Sequence, residues 1–307
     1  MILLCGIPSE SSLGMVAAAL GRRGADCVLV NQRHVRETAV DLVLDDDGLR
    51  GRLSGPGYAV RLEEVGGVYL RFMDDRCLPE LEDEPPDSSV RASGRALHEI
   101  LGQWADVSPA RVVNRYVAMG SNFSKPYQAQ LIREHGFDVP ETLVTNDPDR
   151  VLAFRGTHGA LVYKSISSER SVVQRLEERD VARLDRIRWC PVQFQAYVPG
   201  PNLRVHTVGE EVFGTLIETE AVDYRYATRQ AGRAATFQPH ELDGDLAGRC
   251  VALAADLGLA VAGIDLKLPP DGRTVCLEVN PSPVFSYYEL HTGQPIADAI
   301  ARLLDPG

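Results

Sequence analysis

The chain has 307 residues, a length that accommodates about two or three compact domains. Apolar residues make up 44% and charged residues 24%, the balance of an ordinary globular protein with a sizeable core and no need of covalent staples. A formal net charge of −11 argues against general binding to a phosphate backbone, which needs a basic surface, but leaves room for a local cationic pocket.

The six cysteines are scattered, with no CxxC pair and no close histidine, which argues against a zinc site. Several lie inside apolar runs, so reduced, buried thiols in a cytosolic setting are expected. "MILLCGIPSE" has no basic start and is too short for a signal peptide. No run of about 18 apolar residues exists to span a membrane.

In chain order, "MILLCGI" predicts a buried strand and "LGMVAAALGRRGA" a helix closed by Gly24. "DCVLVNQ" predicts the next strand, and strand–helix–strand predicts a parallel sheet. Between 40 and 72, short β-like runs are separated by "DDDG" and "GPG" turns, with "GGVYLRF" ending the group. "LEDEPPDSS" is an acidic, Pro-rich connection. Helices are expected at "RASGRALHEILGQW" and over 126–135, the latter opened by Pro126 and stopped at Gly136. "ALVYK" and "PVQFQAYV" read as strands, and "LRVHTVGEEVFGTLIE" as a hairpin turning at Gly209. "LAGRCVALAADLGLAVAGIDLKL" reads as helix, turn and strand.

The last strand, "RTVCLEVN", is joined to "VAGIDLKL" through a tight "PPDG" turn. Side chains alternate along a strand, so Glu278 and Asn280 share one face, while Leu277 and Val279 are expected to enter a core. Asp265 joins Glu278 and Asn280 if the loop between the strands has an even number of residues; an odd number needs a bulge. Two carboxylates side by side repel, and a divalent ion such as magnesium removes that repulsion. Pro281 biases Asn280 away from helix, so the strand ends at the ligand and becomes a loop. Taken alone, an Asp and a Glu on a hairpin are more often a solvated polar face.

Lys125 stands in "SKPYQ", and Lys164 ends an apolar strand before "SISSER". The serines of that segment, Ser167 among them, and its backbone N–H groups could wrap phosphate oxygens, although an ordinary polar loop explains them as well. Gln195 is a polar residue in an apolar strand, followed by Tyr197 and Val198, and could present an amide and backbone groups to a purine edge. A Pro-Gly-Pro run then redirects the chain, and Asn202 follows as a candidate partner of a sugar hydroxyl. Arg204 and Arg225 could stabilise charge on a transferring phosphoryl group; the alternative for each is an ion pair with an acidic residue.

In this order, "SKPYQAQLI", "LVYKS", "QFQAYVPGPNLRV", "DYRY", "GIDL" and "LEVNPSP" cover about residues 110–305. Together they resemble the ATP-grasp superfamily, in particular the glutathione-synthetase-like ligases related to the enzyme that adds glutamate to ribosomal protein S6. The resemblance implies an α/β chain with α+β elements. Its parts would be a small N-terminal parallel-sheet domain (1–100), a central lid (101–188) and a C-terminal antiparallel-sheet domain (189–307). It implies that Lys125, Lys164 and Ser167 meet ATP phosphates, that Gln195 and Val198 meet adenine, and that Asn202 meets ribose. Asp265, Glu278 and Asn280 would bind two magnesium ions, manganese being an alternative, with Arg204 and Arg225 beside the γ-phosphate and the acyl intermediate. Such enzymes convert a carboxylate to an acyl phosphate that an amine attacks. Positioning and charge neutralisation suffice for that transfer, so no nucleophile triad is needed. The sequence departs from the family pattern at "SISSER", where a glycine-rich loop is usual. It departs again at Gln195, where Glu is frequent, although an amide carbonyl accepts the same bond.

Three readings follow: a ligase joining an amino acid or small peptide; a ligase closing ester or amide rings in a precursor peptide; and a nucleotide-binding module without catalysis. The complete oxygen triad counts against the last. Neither a nucleic-acid nor a membrane partner is expected, and the resemblance makes a homodimer or tetramer plausible.

Overall fold

A computed structural model describes residues 1–46, 48–166 and 172–306. The chain opens with β1 (Ile2–Gly6), α1 (Ser11–Arg23) and β2 (Cys27–Asn31), the two strands pairing in parallel. The five residues of β1 are all buried, as a strand covered on both faces requires. The Glu10 carboxylate caps α1 by accepting from the Leu13 N–H, and Gly24 closes the helix in the left-handed region. Next come β3 (Ala39–Asp45), β4 (Gly48–Gly55) and β5 (Tyr58–Arg61), a three-stranded antiparallel meander. "GGVYLRF" does not belong to that meander: β6 (Gly67–Arg71) pairs in parallel with β1. The physical reason is two-sided burial, since Val68 and Leu70 enter one core cluster and Tyr69 another. After α2 (Ser89–Val107), β7 (Arg111–Val113) completes a sheet of order β2-β1-β6-β7.

The short α3 (Tyr116–Met119) leads to α4 (Lys125–Glu134). A second sheet follows from β8 (Thr142–Thr145), α5 (Pro148–His158), β9 (Leu161–Ser165), β10 (Gln174–Arg175), α6 (Glu178–Val181) and β11 (Val192–Ala196). Its order is β10-β9-β11-β8, and Val151, Leu161, Leu184 and Phe194 form its core. Because β11 is an inner strand, this sheet crosses the 188/189 division expected from the sequence.

The third sheet is antiparallel. It is built from β12 (Asn202–Val208), β13 (Glu211–Glu218), α7 (Ala227–Ala231), β14 (Thr236–His240), α8 (Gly244–Asp256), β15 (Val261–Lys267) and β16 (Val275–Asn280). Its order is β14-β13-β12-β15-β16. Leu246, Cys250 and Leu253 of α8 pack under it with Ile132 of α4, leaving the opposite face to the site. The chain ends with α9 (Ser286–Thr292) and α10 (Ile296–Leu304). Ile296, Ile300 and Leu304 of α10 pack with Leu13, Val16 and Leu20 of α1, so the C-terminal helix closes the N-terminal sheet. Among the described residues, no helix is long and apolar enough to cross a membrane. All six cysteines are unpaired; Cys5, Cys250 and Cys276 are buried, whereas Cys77 and Cys190 are exposed.

Candidate active site

The connection between β15 and β16 runs over 268–274, an odd number of residues and longer than the tight turn expected. The compensating bulge is present: Lys267 faces Val275 and Leu266 faces Cys276, but Asp265 faces Glu278. Gly263 then faces Asn280, so the three oxygen-bearing side chains share one face. Leu277, the extra residue, lines the cleft with Glu278 instead of entering the core, because a bulge puts two consecutive side chains on one side. Cys276 and Val279 fill the core beneath.

Two buried amides hold these strands. Gln128 of α4 is clamped to β16: its Nε2 donates to the Val279 carbonyl at 2.9 Å and its Oε1 accepts from the Val279 N–H at 3.0 Å. Asn114 does the same for β15 at this end of the pair, donating to the Val261 carbonyl at 2.6 Å and accepting from the Val261 N–H at 3.1 Å. It also donates to the Pro281 carbonyl. Sequence reading missed both residues, since an amide that bonds backbone about 150 positions away leaves no local pattern.

A cleft of about 410 Å³ lies between the second and third sheets. The second sheet supplies Lys164 and Gln195, with Val198 just beyond β11. The third sheet supplies Asn202, Arg204, Asp265, Glu278 and Asn280. Lys125 enters from the start of α4, and Arg225 from a turn after β13. Every residue singled out from the sequence therefore lines one cleft, except Ser167, which lies outside the described residues.

Cations outnumber carboxylates in this cleft: Lys125, Lys164, Arg204, Arg225 and Lys267 stand with Asp223, Asp265 and Glu278. Two of the lysines reach the same oxygen: Lys125 Nζ is 3.3 Å and Lys164 Nζ 3.4 Å from Glu278 Oε2. Burial pushes the Glu278 carboxyl up, but the two ammonium groups outweigh it and hold its pKa down at about 2. Arg204 is 4% exposed and donates from Nη1 to Asp265 Oδ2 at 2.7 Å. Burial works against its charge, yet Asp265 keeps its pKa above the ordinary value. Arg204 also donates from Nε to Nε2 of the fully buried His206. Burial, with Arg204 adding to it, lowers the His206 pKa well below the ordinary value, so the ring is neutral. Gly263 makes room for this arrangement: a Cβ there would collide with the Arg204 guanidinium and with Pro283. Arg225 is bidentate on Asp223 at 2.8 and 2.7 Å. Both arginines are thus ion-paired, and both still face the cleft.

Two tyrosines that sequence reading did not select complete the wall. The Tyr224 and Tyr288 hydroxyls are 2.7 Å apart, and Tyr224 donates to Asp265 Oδ1 at 3.3 Å. Gln195 donates from Nε2 to Thr142 Oγ1 at 3.0 Å, which leaves its carbonyl oxygen as an acceptor. Among the described residues no three His, Cys, Asp or Glu side chains gather as a metal site. The set here is two carboxylates and an amide carbonyl, with Glu278 strongly disposed to stay ionised. These are hard oxygen donors of the kind that suit magnesium with phosphate oxygens.

A model of the RimK-like ATP-grasp domain matches residues 124–304. A relative from Xanthomonas oryzae pv. oryzae (strain MAFF 311018), a probable alpha-L-glutamate ligase, is 30% identical over 193 residues. The match covers 57% of this chain and 62% of that protein, so the chain spans about six tenths of the relative's length. The macrocyclase MdnC from Microcystis aeruginosa MRC, solved with precursor peptide MdnA, superposes with a TM-score of 0.83 at 23% identity, covering 100% of this chain and 99% of that one. The ATP-grasp ligase PsnB, solved with a phosphomimetic variant of a minimal precursor, Mg and ADP, gives a TM-score of 0.81 at 25% identity, covering 99% and 97%. The family model takes in more than half of the residues, and the chain belongs to the RimK-like ATP-grasp domain family.

Proposed function

We propose that the chain is an ATP-dependent carboxylate–amine ligase. The observation that carries this reading is the convergence of Lys125, Lys164, Arg204 and Arg225 with Asp265, Glu278 and Asn280 in one cleft. Gln195 and Val198 would meet the base, Asn202 the sugar, and the two lysines the phosphates. Asp265, Glu278 and Asn280 would hold divalent ions, magnesium first and two in number, whose charge offsets that of the polyphosphate. Arg204 and Arg225 would face the γ-phosphoryl group as it moves to a carboxylate oxygen. The products of that step are ADP and an acyl phosphate. Attack by an amine at the acyl carbon then forms the amide and releases phosphate. The solved ADP and Mg complex of PsnB supports the nucleotide and metal parts of this reading. A cytosolic location is part of the same proposal, as is a three-part division near 1–100, 101–188 and 189–307 in which β11 returns to complete the central sheet.

One observation favours a peptide over a free amino acid as substrate. Tyr287, Leu290 and His291 form an exposed face of α9, and Phe237 of β14 packs 5.0 Å from the Tyr287 ring. Val284, three residues before Tyr287 in the chain and 45% exposed, lines the cleft, as does Tyr288 of α9. An exposed apolar strip at a cleft mouth is suited to covering side chains that flank a reacting carboxylate. A macrocyclising or otherwise peptide-modifying ligase is therefore the second reading, and the peptide complexes of MdnC and PsnB support it.

The test is ADP release by the full chain with ATP, magnesium and a panel of carboxylates and amines, free and within peptides. ADP release that requires both substrates supports ligation. Release with peptide substrates alone favours the second reading. Nucleotide binding with no release under any pairing would favour a module without catalysis.

A further inference from the structure

Lys267 is the last residue of β15, two positions beyond Asp265 and therefore on the same face. Asn202 of β12 stands directly opposite it, as Arg204 stands opposite Asp265. The cleft face thus carries two adjacent rungs, Arg204–Asp265 and Asn202–Lys267. The second rung lies toward the exit of β11, the end at which Val198 and Gly200 leave the strand.

Both members of this rung are buried polar groups with spare hydrogen-bonding capacity. Lys267 is 8% exposed, and its ammonium donates to the Gly200 carbonyl at 2.8 Å. That is its one partner among the described residues, and an ammonium has three N–H bonds to give. Asn202 is 6% exposed, and its amide makes no hydrogen bond among the described residues. Burying such groups is costly unless something else satisfies them. The anchor is also fixed beforehand. Gly200 has φ +108°, and a Cβ there would collide with the Leu268 carbonyl, so the Pro-Gly-Pro turn is shaped to hold its own carbonyl against the lysine.

We infer that Asn202 and Lys267 together clasp the vicinal hydroxyls of a ribonucleotide, and that Lys267 sets the preference for ribose over deoxyribose. This deepens the nucleotide reading above and rests on it. The Asn202 carbonyl oxygen accepts from one hydroxyl, and the Lys267 ammonium donates to the oxygen of the 2′-hydroxyl. A group bound between the base end and the Asp265 end of the cleft must lie over this rung, and in a nucleoside triphosphate that group is the sugar.

The experiment measures affinities of the full chain for ADP and 2′-deoxy-ADP with magnesium, by calorimetry, for the native protein and Lys267→Met, which keeps the length and apolar stem of the side chain. The native protein should bind ADP about tenfold more tightly than 2′-deoxy-ADP, the size of one charge-assisted hydrogen bond. Lys267→Met should lose about tenfold for ADP and change by less than about twofold for 2′-deoxy-ADP, which erases the preference. A variant that keeps the native preference, or weakens both ligands equally, overturns the inference, since equal loss marks a phosphate contact or a structural role. Lys267→Gln reads the same ratio if the methionine variant does not fold. A native protein that binds neither ligand overturns the nucleotide reading itself. A native protein that binds both with equal affinity overturns only the role given to Lys267.

Discussion

Asp265 and Glu278 stand directly opposite each other in the β15–β16 pair because Leu277 is an extra residue on one side of the ladder. Without that bulge, Asp265 would face Leu277 and the two carboxylates would point to opposite sides of the sheet. Their closeness is stabilised by separate partners: Lys125 and Lys164 face Glu278, and Arg204 faces Asp265. These cations hold the two carboxylates side by side in one site.

Glu278→Ala removes the oxygen that both lysines share. ADP formation should fall by at least about a hundredfold, the scale of losing a preorganised electrostatic group. The fold should survive, because the side chain is partly open to the cleft and its loss leaves no cavity in the core. Turnover assays with a thermal melt check both statements. Undiminished turnover would sink the assignment of this residue to the metal and phosphate site.

The depressed pKa of Glu278 ties stability to pH. Its ordinary value is 4.5 and its value in the fold is about 2, so the folded state favours the ionised form. Its contribution is fully present above about pH 4.5 and is lost as pH falls toward about 2. Urea unfolding of the native protein and of Glu278→Gln, compared across that window, should give stabilities that converge as pH falls. A constant gap between the two would show that the lysine pairs contribute nothing that titrates.

Gln128→Leu tests the amide clamp on β16. The Val279 N–H and carbonyl lose both partners in a site that is 1% exposed at Gln128. Unsatisfied buried groups cost about 1–3 kcal/mol, so chemical unfolding should register a loss of that order. Turnover should drop as well, because Glu278 and Asn280 flank the residue that is held. A variant as stable and as active as the native protein would deny Gln128 any positioning role.

Arg225→Ala separates binding from chemistry. Arg225 is held by Asp223 at the cleft wall and is poised to face charge that develops during transfer. Turnover should fall more than ATP affinity does, by about tenfold or more. Equal losses in kcat and binding would assign it to ground-state binding instead.

The chemistry of the cleft was more legible in the sequence than its architecture. Strand alternation places Glu278 and Asn280 on one face, and a tight, even PPDG turn is expected to bring Asp265 to them; the structure reaches the same arrangement by another route, an odd connection compensated by a bulge. The direction of Leu277 was not legible, since alternation fails at the residue a bulge inserts. The placement of β6 was missed because its neighbours in sequence are not its neighbours in the sheet. The strand at 142–145 and the helix at 148–158 were also missed. The first is four residues long, and the second has a single fully buried side chain, Val151, so neither carries a strong period. Gln128, Asn114 and the Tyr224–Tyr288 pair act across long sequence separations, which no local pattern records.

Gly263 is an economical test of the whole arrangement, because a glycine has no side-chain group to offer a ligand and a Cβ there meets Arg204 and Pro283. It sits opposite Asn280 and beneath the guanidinium of Arg204, which crosses β15 there to reach Asp265. The nearest atoms to a new Cβ are Arg204 Nη2, Arg204 Cζ and Pro283 Cβ. Gly263→Ala must therefore displace either the arginine or the loop that follows Asn280. The overpacking should cost about 1–3 kcal/mol of stability, visible in urea unfolding. The functional loss should exceed what that destabilisation explains, since a shifted Arg204 leaves Asp265 without its buried counter-charge. Gly263→Ala should therefore match Arg204→Ala in lost turnover, and the double variant should be no worse than either single one. Additive losses in that cycle would mean that the glycine and the arginine act independently, and the close packing between them would then have no bearing on catalysis.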